Sequence, residues 1–152
     1  MPSSLSPDHV AALAAVARML AEAQGPWWVI AGAAVALHGA PVEVDDIDIL
    51  FSASDTALVS SLPAMCRNYG AGTTLFRSGF YAASTIGTVR VEWMADFEVS
   101  IGTGWHPVLP RSREPAHIGE ATVFVPDRGE LIAMLASFGR PKDHDRIALL
   151  TM

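Results

Sequence analysis

Cysteine is almost absent from this sequence, which limits the disulfides, the metal sites and the cellular compartment that we expect. Cys66 is the single cysteine among 152 residues. One cysteine excludes a disulfide within the chain and argues against a cysteine-based zinc site. We therefore expect a protein of the reducing cytoplasm.

Basic residues are also scarce, with 10 Lys and Arg against 16 Asp and Glu, for a formal net charge of −6. This balance argues against an extended nucleic-acid-binding surface, although a small or metal-masked phosphate ligand is compatible with it. The longest apolar run, Trp27 to Leu37, falls well short of the roughly 20 residues that cross a bilayer. No basic segment precedes an apolar one at the N-terminus, so we expect a soluble protein without a membrane partner.

Apolar residues, by contrast, are plentiful. They make up 51% of the chain against 17% charged residues, enough for one domain, residues 1–152, to bury its own core.

Hydrophobic spacing and turn residues predict helices that alternate with strands. Helices are predicted from Ser6 to the Gly25-Pro26 stop, from Gly32 to His38, from Ser52 to about Arg67, from Asp127 to Phe138 and from Pro141 to Leu150. Strands are predicted at Trp27–Ile30, Asp46–Phe51, Thr74–Arg77, Tyr81–Ile86, Val89–Met94 and Ala121–Val125, with a break at Ser78-Gly79 and a long loop from Ser100 to Glu120. This order favours an α+β (α/β-like) domain with helices packed on a mixed β-sheet.

Two carboxylates, Asp46 and Asp48, stand out on the second predicted strand. Side chains two apart on a strand face the same side, so Ile47 and Ile49 face the other side and enter the core. The two acids are thereby left facing one place, which is typical of a metal site.

A turn of small residues precedes this strand. Ala31, Gly32 and Ala33 follow the buried strand Trp27–Ile30 and lead into the short helix. The free N–H groups and the dipole of a helix N-terminus favour a phosphate group. A phosphate cradle beside two metal-binding acids suggests chemistry on a nucleotide.

This arrangement resembles the minimal nucleotidyltransferases of the DNA polymerase β-like superfamily, which carry a Gly-Gly or Gly-Ser turn, an Asp-x-Asp strand and a third carboxylate on a later strand. Here the turn falls on Ala31-Gly32, the pair on Asp46 and Asp48, and the third acid on Glu92 in VRVEWMAD. The segment GRPKDHDRIALL resembles the ending common in that group. Its matched residues are Arg140, Lys142, Asp143, Asp145 and Arg146.

The resemblance implies a nucleotidyltransferase fold and metal-dependent transfer of a nucleoside monophosphate from a nucleoside triphosphate to a hydroxyl on a small molecule, protein or RNA. Asp46, Asp48 and Glu92 would hold Mg²⁺ or Mn²⁺ and act in catalysis, since hard cations take oxygen ligands and substrate phosphates. Glu92 would complete the second metal site or act as the general base. It shares a strand face with Arg90 and Met94, opposite Val89, Val91 and Trp93.

The resemblance further implies that Ala31, Gly32, Ala33 and Lys142 bind the nucleotide. The alternative for Lys142 and its charged neighbours is a solvated helix face, since Lys142 and Arg146 are four residues apart.

Several positions depart from the family pattern. Val42 and Val44 stand where Arg and Thr are common, Ala31 replaces the first glycine of the turn, and Leu135 stands where a Lys is often found. These departures motivate a second hypothesis, a catalytically degenerate member of the fold that serves as a nucleotide-binding or protein-interaction module, such as a toxin–antitoxin-type component. A third is a plain metal-binding α+β domain. The acceptor surface is left open between the Ser100–Glu120 segment, a second protomer in a homodimer and a partner protein.

Overall fold

The computed structural model describes residues 5–63, 65–67 and 73–152. Five α-helices lie in this part of the chain: α1 (Pro7–Met19), α2 (Ala31–Leu37), α3 (Thr56–Ser60), α4 (Arg128–Phe138) and α5 (Pro141–Leu150). A short 3-10 helix, Ala53–Asp55, precedes α3. The strands of the same part are β1 (Trp27–Ile30), β2 (Ile47–Phe51), β3 (Cys66–Arg67), β4 (Phe76–Ile86), β5 (Val89–Ile101), β6 (Gly104–Pro107), β7 (Glu114–Ile118) and β8 (Ala121–Val125). The predicted α+β class with a mixed sheet is confirmed.

The main sheet has the order β1-β2-β5-β4-β3. All of its neighbours are antiparallel except β2 and β5, which run parallel, with Asp48 opposite Glu92. Strand β6 pairs with the end of β5, and β7 and β8 form a separate hairpin. The long strand β5 is therefore the centre of the sheet and carries Glu92 next to β2.

The helix ends follow from local chemistry. Ser6 caps α1 by accepting the backbone N–H of His9 at 3.2 Å, and Asp127 caps α4 by accepting that of Glu130 at 2.7 Å. Gly139 ends α4 in the left-handed region at φ 69°, which glycine adopts without strain. The predicted positions of these two helices are confirmed, although α1 ends at Met19, before the predicted stop.

The core lies between the main sheet and the helices. Its fully enclosed side chains include Leu13, Ile47, Ile49, Trp93 and Leu131. Helix α1 packs against β8 and β5, while α4 packs against α5 and α2. Within the described residues, no helix combines the length and apolar character that crossing a membrane needs.

Three sequence predictions are wrong. The helix predicted from Ser52 to Arg67 ends at Ser60, and Cys66 lies in β3; residue 64 of that span lies outside the described residues. The predicted loop from Ser100 to Glu120 contains β6 and β7, which are short strands held by pairing with distant partners rather than by their own apolar pattern.

The third wrong prediction is the break at Ser78-Gly79, because β4 runs through it. Gly79 faces Asp96 of β5, and a Cβ atom on Gly79 would lie 3.0 Å from the Asp96 Cβ atom. Asp96 itself has a positive φ of 50°. The glycine therefore permits a close approach of two distorted strands instead of a turn.

Candidate active site

A cavity of about 610 Å³ opens where β2, β5 and β4 meet the turn at the start of α2 and the start of α5. Acidic residues and basic residues line the same space. The acids are Glu43, Asp45, Asp46, Asp48 and Glu92, and the bases are Arg77, Arg140, Lys142 and Arg146. A cavity that presents both charges can hold a polyanion together with a cation.

The carboxylates are placed by the one parallel strand pair. Asp48 and Glu92 are register partners, and their carboxyl groups interact electrostatically. Desolvation raises the pKa of Asp48 to about 8, with the charge of Glu92 and the hydrogen bond to it as further causes. Desolvation and the charge of Glu92 also raise the pKa of Asp46. Burial and mutual repulsion therefore oppose full ionisation of these carboxyl groups, and a bound cation would relieve that repulsion.

Tyr81 and Arg90 also lie next to the Glu92 side chain. The Tyr81 hydroxyl donates to Glu92 Oε1, and Arg90 donates to the Tyr81 hydroxyl at 3.1 Å. Arg90 also lies 3.8 Å from Glu92 and 3.9 Å from Asp46. Burial and the bond to Glu92 raise the pKa of Tyr81 to about 12, so it remains a hydrogen-bond donor at neutral pH. Sequence analysis placed Arg90 on this face but did not predict either contact.

The small-residue turn opens α2 directly. Ala31 has a positive φ of 58°, in the region that glycine adopts more readily than other residues. Ala31 and Gly32 line the cavity, whereas Ala33 is fully buried and is not among its lining residues.

Helix α5 and its N-cap residue Arg140 bring basic side chains to the same cavity, and one buried acid holds two of them. Asp143 is fully buried and accepts the Arg140 guanidinium at 2.7 and 3.0 Å, and Arg146 lies 3.7 Å from it. Lys142 lines the cavity and makes no ion pair with a described carboxylate, but its charge partly offsets the rise in the pKa of Asp46. The alternative of a merely solvated helix face therefore does not describe Asp143 and its two arginines.

Gly32 and Arg146 lie against each other in the lining of the cavity. A Cβ atom on Gly32 would lie 2.8 Å from an Nη atom of Arg146, so that the missing side chain makes room for the guanidinium. Sequence analysis matched Arg146 to a C-terminal motif but assigned it no role. Its contact with Gly32 places its guanidinium at the small-residue turn.

We expect Gly32→Ala to weaken nucleotide binding without destabilising the fold. Alanine is favoured over glycine in a helix by about 1 kcal/mol, but its methyl group displaces Arg146 from the turn. Parallel urea unfolding and nucleotide titration of the variant would test this. Unchanged nucleotide affinity would contradict a role for Arg146 at the turn, and Gly129→Ala, in α4 and outside the cavity, is the matched control.

The carboxylate oxygens of this site are ligands that a hard divalent cation prefers, but their present positions do not form a binding site for one. Asp46, Asp48 and Glu92 offer only carboxylate oxygens, which Mg²⁺ and Mn²⁺ prefer. As they stand, no three His, Cys, Asp or Glu side chains of the described part are arranged to hold a metal ion. Glu92 is engaged by Tyr81, Arg90 and Asp48, so metal binding requires these side chains to rotate.

The three apolar residues that sequence analysis noted as departures from the family pattern do not all lie at the cavity. Val42 and Leu135 are buried in the core and do not line the cavity, whereas Val44 does line it. The cations of the cavity come instead from α5 and from Arg77 of β4.

No protein-family model and no curated protein sequence matches the chain. A solved structure of a Thermotoga maritima protein assigned as a nucleotidyltransferase is similar at 20% identity and a TM-score of 0.73, over 95% of this chain and 92% of that one.

Two antibiotic-modifying enzymes have the same architecture. The lincosamide antibiotic adenylyltransferase LnuA, solved with lincomycin, matches 91% of this chain and 94% of its own at 12% identity and a TM-score of 0.60. The structure of ANT(2″)-Ia with adenylyl-2″-tobramycin matches 93% and 86% at 16% identity and a TM-score of 0.57. With all three matches spanning nearly the whole chain, the protein has the minimal nucleotidyltransferase fold.

Proposed function

We propose that this protein transfers a nucleoside monophosphate from a nucleoside triphosphate to a hydroxyl acceptor, with Mg²⁺ or Mn²⁺ as cofactor. The observation that carries the proposal is the presence of both acidic and basic side chains in one cavity. Asp48 and Glu92 are neighbours on β2 and β5, and Lys142 and Arg146 reach the same cavity from α5. The solved adenylyltransferases of the same fold support this choice of reaction.

The basic and the acidic residues of the cavity have different roles in the proposed reaction. Lys142, Arg146 and the turn at Gly32 would bind the triphosphate, because cations and backbone N–H groups stabilise its charge. Asp46, Asp48 and Glu92 would hold the divalent cation, which, when bound, polarises phosphate oxygens and lowers the pKa of a bound hydroxyl. Lys142 is the strongest candidate for the phosphate contact since its ammonium group has no direct ion-pair partner among the described residues.

The chemical step transfers the α-phosphoryl group. The acceptor oxygen forms a bond to the α-phosphorus, the bond to the bridging oxygen breaks, and pyrophosphate leaves with that electron pair. The hydroxyl proton passes to a carboxylate, for which Glu92 is our candidate. Its side chain is 24% exposed and is oriented by Tyr81.

Thermal unfolding with a panel of nucleoside triphosphates, with and without Mg²⁺ or Mn²⁺, tests the proposal. A ligand at a hundredfold excess over its Kd stabilises the folded state by about 2.7 kcal/mol. We expect a rise in Tm that needs both triphosphate and metal, and pyrophosphate release once an acceptor is supplied. No shift with any triphosphate would contradict the proposal.

A second candidate function is nucleotide or partner binding without transfer. It is favoured by Arg90, which lies across Asp46 and Glu92 as an internal counter-charge, and by the apolar Val44 in the cavity wall. It predicts a nucleotide-induced rise in Tm that does not depend on metal, with no release of pyrophosphate.

A further inference from the structure

One end of the cavity differs in character from the acidic centre. Three phenylalanine rings from three elements meet there: Phe76 of β4, Phe97 of β5 and Phe138 of α4. The Phe76 ring lies 4.9 Å from Phe138 in an edge-to-face contact and 5.3 Å from Phe97. Phe97 and Phe138 are buried, whereas Phe76 is half-buried. The cluster therefore fixes Phe76 in place and leaves part of its ring towards the cavity.

The strand distortion at Gly79 and Asp96 brings these rings to the cavity. On a regular strand, Glu92 and Phe97 would face opposite sides because they are an odd number of residues apart. Both nevertheless line this cavity, and Phe76 and Tyr81 do so on β4. The positive φ of Asp96 and the close approach of Gly79 lie between the members of each pair.

Arg140 extends the aromatic surface. Its guanidinium carbon lies 5.0 Å from the Phe76 ring centroid and 5.7 Å from that of Phe138. Its charge is already paired with the buried Asp143 through two hydrogen bonds. A guanidinium held in this way offers a planar surface for stacking more than a free charge for phosphate.

We propose that Phe76 and Arg140 form the subsite for the nucleobase, and that this subsite accepts all four common bases with similar affinity. The proposal rests on the proposed function, because that function supplies a ligand with one planar aromatic end and one polyanionic end. Phe97 lies five residues beyond Glu92, roughly 16 Å along a regular strand, which an extended nucleoside triphosphate can span.

Weak selection among bases follows from what surrounds the rings. Stacking is tolerant of base identity because every base has a π face. The hydroxyl of Thr73 lines this end, but it already accepts the backbone N–H groups of Leu75 and Phe76. The other described hydroxyls that line the cavity belong to Ser78 and Tyr81, and that of Tyr81 already donates to Glu92. Ser78 is then left to contact a base edge, and one hydroxyl discriminates poorly between bases.

Competition between nucleotides and a ligand without a base tests the proposal. Affinities of ATP, GTP, CTP, UTP and inorganic tripolyphosphate would be measured with Mg²⁺ for wild type, Phe76→Leu and Phe76→Trp. We expect Phe76→Leu to weaken all four nucleotides roughly tenfold, from the loss of one stacking contact, and to leave tripolyphosphate unchanged. Phe76→Trp should retain nucleotide affinity. Phe124→Leu, at a half-buried aromatic of β8 outside this cavity, is the matched control.

The outcomes separate the two proposals. If tripolyphosphate and nucleotides bind wild type equally and Phe76→Leu changes neither, the base subsite is wrong while the proposed function stands. A loss of tripolyphosphate binding in Phe76→Leu would mean that the ring supports the whole cavity, which also overturns the subsite. A wild-type preference for one base above tenfold overturns the claim of weak selection. If no ligand binds wild type, the proposed function fails and the subsite with it.

Discussion

Asp48→Asn is expected to abolish metal-dependent nucleotide binding and, at neutral pH and above, to make the fold more stable. The substitution removes a central ligand of the proposed metal site. It also removes a carboxyl group that desolvation and Glu92 oppose in its charged form. Calorimetric titration with triphosphate and Mg²⁺, together with unfolding curves, measures both effects.

The raised pKa of Asp48 predicts how the stability of the fold changes with pH. The pKa of Asp48 is about 8 in the folded state, above the ordinary value of an aspartate, so the folded state holds a proton that the unfolded state has lost. The stability of the wild type should therefore fall as pH rises from about 4 to about 8, by at most about 1.4 kcal/mol per pH unit for one proton. Asp48→Asn should flatten this fall.

Asp45→Asn is the matched control for this experiment. Asp45 lines the same cavity but is exposed, and it precedes β2 rather than pairing within the sheet. Its substitution should leave the metal response unchanged. An Asp48→Asn protein that retains the wild-type metal response would exclude Asp48 as a ligand.

Asp143→Asn is expected to produce the largest loss of stability among the substitutions considered, about 3 kcal/mol. Asp143 is fully buried and is shared by Arg140 and Arg146, so that its loss leaves two guanidinium groups without their acid. Removing one partner of a buried pair costs about 3–5 kcal/mol, and the partial exposure of both arginines favours the lower end. Total stabilities of domains are about 5–15 kcal/mol. Urea unfolding would measure the loss.

Asp145→Asn on the same helix tests whether burial is the cause. Asp145 is exposed and makes no ion pair with a described residue, so its substitution should cost less than about 0.5 kcal/mol. Similar losses in the two variants would argue for a general effect of helix charge. Asp143→Asn should also weaken triphosphate binding, since it frees Arg140 and Arg146 from their fixed positions.

The sequence was most informative where the pattern is local. The alternation of Asp46, Ile47, Asp48 and Ile49 predicted the second strand and its buried face, and both helices near the C-terminus began and ended close to the predicted residues. The same alternation on β5 placed Glu92 on a half-buried face, opposite the buried Val91 and Trp93. These features depend on residues within a few positions of one another.

The rest depends on contacts between distant parts of the chain. Strands β6 and β7 have weak patterns of their own and are defined by their partners β5 and β8. The contacts of Tyr81 and Arg90 with Glu92 require the register of β4 and β5. The role of Arg146 becomes visible only when Gly32 is found against it, because neither residue carries a pattern that points to the other.

The parallel pairing of β2 with β5 has a consequence for the order in which the protein folds. Asp48 and Glu92 cannot become neighbours through a local hairpin, since parallel strands need a long crossover between them. The contact between Gly32 and Arg146 closes a still longer loop. Contacts of this kind are the slow ones in folding kinetics. In refolding experiments, nucleotide affinity should therefore return with the slowest phase, after the β4–β5 hairpin and the helices have formed.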